Sequence, residues 1–122
     1  MIIIAQQKLK IWLDDERPMP PDFDTHVRTA DEAINALSKG NIGYISFDHD
    51  LGIGKSGYDV ANWIEKAVVL HNFGRIGWDV HSQNPVGAQR IRVVMTRLDK
   101  EWDRLENHAS NVEQAQKDYL SE

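Results

Sequence analysis

The sequence predicts an α/β fold built on a parallel sheet, and three observations predict it. Short apolar runs of strand character alternate with segments of helical period. Polar clusters gather at the ends of those runs, with nothing comparable at their starts. The 122 residues are enough for one hydrophobic core and too few for two. Strands alternating with helices imply right-handed parallel crossovers, and such sheets bind ligands beyond the carboxyl ends of their strands.

Each element follows from its residues. KLKIWL (Lys8 to Leu13) reads as the first strand. It runs into DDERPMPPDF, where Pro18, Pro20 and Pro21 forbid a regular helix. THVR is a short second strand. Thr29 and Glu32 have capping-box spacing before a helix that carries Ala33, Ile34, Ala36 and Leu37 and stops at Gly40. IGYISF is the next strand and delivers FDHDLG. After the loop LGIGKSG, residues Tyr58 to His71 place Val60, Ala61, Ile64, Ala67 and Val68 at helical spacing. RIGWDVHS is a further strand. Asn84 and Pro85 then open a helix as N-cap and first residue. Ile91, Val94, Leu98, Trp102 and Leu105 form its stripe, continued by Ala109, Val112 and Tyr119. From about Asp99 onward one long helix, a helical hairpin and a frayed tail are all compatible with the sequence.

Composition narrows the function classes. A formal charge of −5 argues against a broad nucleic-acid or membrane-binding face. With no cysteine, disulfides and thiolate metal sites are excluded. The apolar opening MIIIA is too short for a signal h-region or a membrane span. The expectation is a cytoplasmic single domain over residues 1–122, with 99–122 as a helical or partly disordered extension.

Three strand ends carry the chemistry. Asp14 and Asp15 at one end, with Asp48 or Asp50 at a neighbouring one, make an acidic pocket. Its carboxylates need a cation or raised pKa values. A hard divalent ion, Mg²⁺ or Mn²⁺, held by Asp14, Asp15 and Asp48, resolves the repulsion. His49 and His81 are both expected at strand ends, where two imidazoles flanking a phosphate serve as general base and general acid. His26, His71 and His108 have no such company and read as structural or exposed. Ser82 offers a hydroxyl and Asn84 a cap. Gly87 gives an anion close approach to a helix N-terminus, and Lys55 of GIGKSG reaches toward a phosphate.

Together WLDDERP, FDHDLG, GYDVANWI and HSQNPVGA resemble the cyclic-phosphate-processing receiver-like family over roughly residues 8 to 98, most of a domain. The resemblance implies a three-layer, flavodoxin-like sheet, with Asp14 and Asp15 as the acidic pair after the first strand and His49, Asp50 and His81 in the active centre. The chain departs from a phosphoacceptor receiver in several respects. Asp48 and Asp50 compete for the acceptor position, no lysine-bearing fifth strand follows, and the first crossover is a proline-rich loop. Four strands in order 2-1-3-4 with a long C-terminal helix are therefore expected.

The implied function is a phosphoesterase processing a cyclic phosphate, either a 2′,3′-cyclic nucleotide or an RNA end, with no membrane partner. The alternative is a non-catalytic receiver used for signalling or protein contact, a homo-oligomer through the C-terminal helix around Trp102. RNA binding through Arg90, Arg92 and Arg97 has less support, because those arginines read as a solvated helix face.

Overall fold

A computed structural model describes residues 8–120; the MIIIA opening lies outside the described residues. The strands are β1 (Leu9–Leu13), β2 (Thr25–Val27), β3 (Ile42–Phe47) and β4 (Gly77–Val80). The helices are α1 (Ala30–Ser38), α2 (Gly57–His71) and α3 (Pro85–Leu120). All strand pairs are parallel and the order is β2-β1-β3-β4, as predicted. No helix among the described residues is long and apolar enough to cross a membrane.

Local chemistry sets the helix ends. The Thr29 hydroxyl accepts from the Glu32 N–H at 3.1 Å, and the Glu32 carboxylate accepts from the Arg28 N–H. That satisfies two donors at the α1 start. The Asp59 carboxylate accepts from the Ser56 N–H at 2.7 Å to open α2, which ends at Asn72 with φ of 53°. Asn84 caps α3 as expected: its side-chain oxygen accepts from the Gly87 N–H at 3.0 Å.

Register decides what each face carries. Ile11 pairs with Ile45 and Leu13 with Phe47, and these side chains are fully buried. They meet Leu37 of α1, Val60 and Ile64 of α2, and Ile91, Met95 and Leu98 of α3 in one continuous core. All three helices thus feed the same face. The other face holds the alternate residues Lys10, Trp12, Tyr44, Ser46 and Asp79, since side chains alternate along a strand.

The proline-rich loop between β1 and β2 covers that second face. Phe23 packs edge-on against Trp12 at 5.2 Å and Tyr44 at 6.1 Å, and the Arg17 carbonyl accepts from Trp12 Nε1. The expected three-layer arrangement is met with one helical outer layer and one made of loop. Pro18, Pro20 and Pro21 are the reason: three missing N–H donors in so short a crossover leave no helix to form.

α3 runs unbroken to Leu120, but only its first half packs. Trp102 is 3 % exposed, and its Nε1 donates to the Phe73 carbonyl at 3.0 Å. This corrects the expectation that Trp102 anchors a dimer, because the ring is committed to the chain's own core. Beyond it residues 103–120 are exposed, and Arg75 ties the exit through Asp103 and Glu106.

Two predictions follow from this packing. Trp102→Ala lowers stability by about 3–5 kcal/mol in urea unfolding, whereas ending the chain after Asn107 shifts the midpoint little; equal losses would refute the division of α3. On the loop-covered face, burial and the hydrogen bond to Asp79 push the Tyr44 hydroxyl up to about 12. A raised folded value means a contribution present below the unfolded value of about 10 and lost as pH climbs through the folded one. The urea midpoint therefore falls more steeply above pH 10 in the wild type than in Tyr44→Phe, and parallel curves would contradict the assignment.

Candidate functional site

Three strand ends are fastened side by side by ladder bonds that continue past the strands. The Asp14 N–H donates to the Val27 carbonyl, Asp48 N–H to Leu13, and His81 N–H to Phe47, at 3.1, 2.9 and 2.9 Å. Each acid or imidazole is therefore the first residue beyond a strand, and its backbone is held by the neighbouring strand. Asp14, Asp48 and His81 each offer one ligand atom within 4.8 Å of the others.

Asp14 is 1 % exposed. Its Oδ1 accepts from the backbone N–H groups of Glu16 and Arg17, both at 2.8 Å, and its Oδ2 faces His81 Nε2 at 2.9 Å. Burial alone would raise its pKa; the two N–H donors and His81 outweigh that and hold the carboxyl below its ordinary value. Asp48 goes the other way. Burial and then the Asp14 charge push it up, and the His49 N–H, His81 and the Ser82 hydroxyl offset this in part.

His81 is held on every side. Its ring stacks on Trp12 with centroids 3.7 Å apart and planes 7° from parallel. Nδ1 lies 2.8 Å from the Ser46 hydroxyl, which is in close contact with the Asp79 carboxylate, and the Tyr44 hydroxyl donates to the other Asp79 oxygen at 2.7 Å. The Arg17 guanidinium donates to the His81 carbonyl at 2.7 Å.

His49 occupies a second station. Its Nδ1 is 2.8 Å from Asp50 Oδ1, and the Asn84 amide also donates to Asp50. The His49 hydrogen bond and then Asn84 hold Asp50 below its ordinary pKa. The ring lies directly over Gly87, where an added Cβ would come within 2.3 Å of it. Gly87 thus makes room for an imidazole, and the space expected for an anion there is filled.

Between the stations lies a cavity of about 440 Å³ lined by Asp14, Asp15, Glu16, Arg17, Asp48, Asp50, Gly52, Ser82, Gln83 and Asn84. Most of the residues singled out from the sequence meet there. Neither ring is part of this lining; each stands behind a carboxylate that is. Lys55 does not join them: it is well exposed and pairs with Asp31 at the α1 start, 2.9 Å away. The cation that does line the cavity is Arg17, which the sequence reading passed over. Its only signal there was its place straight after the DDE acids.

The donor set suits a divalent cation in part. Asp14 and Asp48 supply hard oxygens beside one imidazole, while Asp15, expected as a third ligand, lines the cavity outside that cluster. A larger cavity of about 670 Å³, between α2 and α3, is walled by Val69, Leu70 and Leu98 with charged rims and has no comparable convergence of acids and imidazoles.

Neither a curated protein nor a solved structure gives a significant match to the chain. Residues 9–97 match the family described as the cyclic-phosphate processing receiver domain. That span runs from β1 through the packed half of α3 and takes in every residue of the cavity, so the chain belongs to the cyclic-phosphate processing receiver domain family.

Proposed function

We propose that the cavity at the carboxyl edge of the sheet binds a cyclic phosphate ester and hydrolyses it. The substrate is a 2′,3′-cyclic nucleotide or an RNA end of that kind, met in a cytoplasmic setting. One observation carries the reading: two imidazoles are tied to two carboxylates that line one cavity, His81 to Asp14 and His49 to Asp50, together with an arginine.

The roles follow from the hydrogen bonds. His49 turns Nδ1 to Asp50, which leaves Nε2 to take a proton from water. The water oxygen attacks phosphorus, one P–O bond to the ribose breaks, and the proton of His81 Nε2 passes by way of the Asp14 carboxylate, which lines the cavity, to the departing ribose oxygen. Arg17 stands where a phosphate oxygen needs a positive charge in an otherwise acidic lining, and Ser82 and Asn84 orient the ester. A divalent ion held by Asp14 and Asp48 would supply charge neutralisation and polarise a phosphoryl oxygen, with His81 kept for the proton.

The alternative is an atypical receiver used for signalling or protein contact, with Asp48 or Asp50 as acceptor; Asp50 is exposed but held by His49 and the Asn84 amide. Asp48 is 8 % exposed and already engaged by the His49 N–H and Ser82. No lysine among the described residues lines the cavity. A beryllofluoride mimic that altered the protein while cyclic phosphates went untouched would favour that alternative.

The test is turnover of 2′,3′-cyclic nucleotides, cyclic dinucleotides and cyclic-phosphate RNA ends, each with and without Mg²⁺ or Mn²⁺. His49→Ala and His81→Ala are each expected to lower turnover by about 100-fold or more; full activity in either variant would remove that histidine from the mechanism. Arg17→Ala is expected to weaken substrate binding about tenfold or more, with Lys55→Ala unchanged. The reverse pattern would return the phosphate to the glycine-rich loop.

A further inference from the structure

Ser46 and Asp79 have no place in the reaction above, yet both are aimed at it. Cross-strand register puts Trp12, Ser46 and Asp79 in one row on the loop-covered face, with Trp12 opposite Ser46 and Ser46 opposite Asp79. His81 follows Asp79 by two positions and so returns to the same side of the chain. Ser46 is 1 % exposed.

That hydroxyl meets two groups, the Asp79 carboxylate and His81 Nδ1. A serine has one proton to give. An ionised Asp79 oxygen can only accept, so in its hydrogen bond with Ser46 the hydroxyl is the donor. The serine proton therefore goes to Asp79, and Oγ is left to accept from the ring, so Nδ1 carries hydrogen. Tyr44 supports the arrangement from the far side by donating to the second Asp79 oxygen at 2.7 Å.

We propose that Ser46 and Asp79 are positioning residues: they fix Nδ1 of His81 as the donor to Ser46 and thereby hold Nε2 toward Asp14 and the cavity. Stacking on Trp12 sets the plane of the ring but leaves it free to flip within that plane. The Ser46–Asp79 pair opposes the flip at one end of the ring as Asp14 does at the other, because the exchanged ring would put a carbon against Oγ and another against Asp14 Oδ2. The catalytic consequence rests on the phosphoesterase reading above, whereas the ring orientation stands without it.

The experiment uses the full chain with ¹⁵N-labelled histidine. In the wild type, His81 Nδ1 is expected to be protonated, with a downfield, slowly exchanging proton. Ser46→Ala should abolish that signal and Asp79→Ala should weaken it, with the far-ultraviolet spectrum of the fold unchanged. On a cyclic phosphate that the wild type turns over, both variants should lose about 10- to 100-fold in kcat with KM nearly constant, the range for groups that orient an imidazole through its far nitrogen. Tyr44→Phe, one bond further out, should lose less. A wild-type spectrum with a bare Nδ1, or a protonated Nδ1 signal that survives Ser46→Ala, would overturn the assignment, and so would kcat left intact in both variants. If the signal behaves as stated while the wild type hydrolyses no cyclic phosphate, the phosphoesterase reading fails and the orientation of His81 by Ser46 and Asp79 stands.

Discussion

A carboxylate sealed at the end of a central strand must have each oxygen answered, and Asp14 imposes that demand on everything around it. An unpaired buried charge costs several kcal/mol. Its Oδ1 takes the N–H groups of Glu16 and Arg17, so the loop turns sharply just after β1. Its Oδ2 takes His81, so the end of β4 must be brought across β3 to reach β1. Even its backbone carbonyl is used, meeting His26 Nε2 at 2.7 Å from β2. One acid thereby gathers groups from the loop after β1, from β2 and from the end of β4.

Asp48 depends on that arrangement and pulls against it. Two acids this close and this buried cannot both be comfortable as anions. The opposite directions of their pKa displacements express the asymmetry: Asp14 has two backbone donors on one oxygen and His81 on the other, and Asp48 is left with the repulsion. Any cation entering the cavity gains most by relieving Asp48. This is why the same geometry accommodates an imidazole or a divalent ion, and why a phosphate arriving there needs Arg17.

Much of this was legible in the residues. Strand IGYISF and the Asn84 cap are read correctly because period-two alternation and capping chemistry are local. The strand order came with the family resemblance and not from the pattern itself. Lys55 and Gly87 are placed otherwise than expected for one shared reason. A glycine-rich loop and a helix N-terminus suggest phosphate in the abstract, but Asp31 captures the lysine and the His49 ring fills the space over Gly87. Both competitors come from elsewhere in the chain, and no window of sequence contains them. Trp102 was misjudged in the same way: its helical stripe looked ready for a partner, and Phe73 from the loop after α2 was already that partner.

Ser46 and Asp79 mark a different limit. Their alternation was in plain view, since Tyr44 and Ser46 share a face, as do Asp79 and His81. What the sequence lacked was the register that slides one pair opposite the other. In a parallel sheet that register is set by core packing on the far face, where Phe47 sits opposite Val80 and Ile45 opposite Trp78. A slip by one residue would bring Val80 opposite Ser46 and turn Asp79 and His81 toward the apolar face, away from Ser46 and Trp12 alike. The apolar face therefore fixes the polar one, and the orientation of an imidazole at the cavity is decided by how isoleucine and phenylalanine pack on the other side of the sheet.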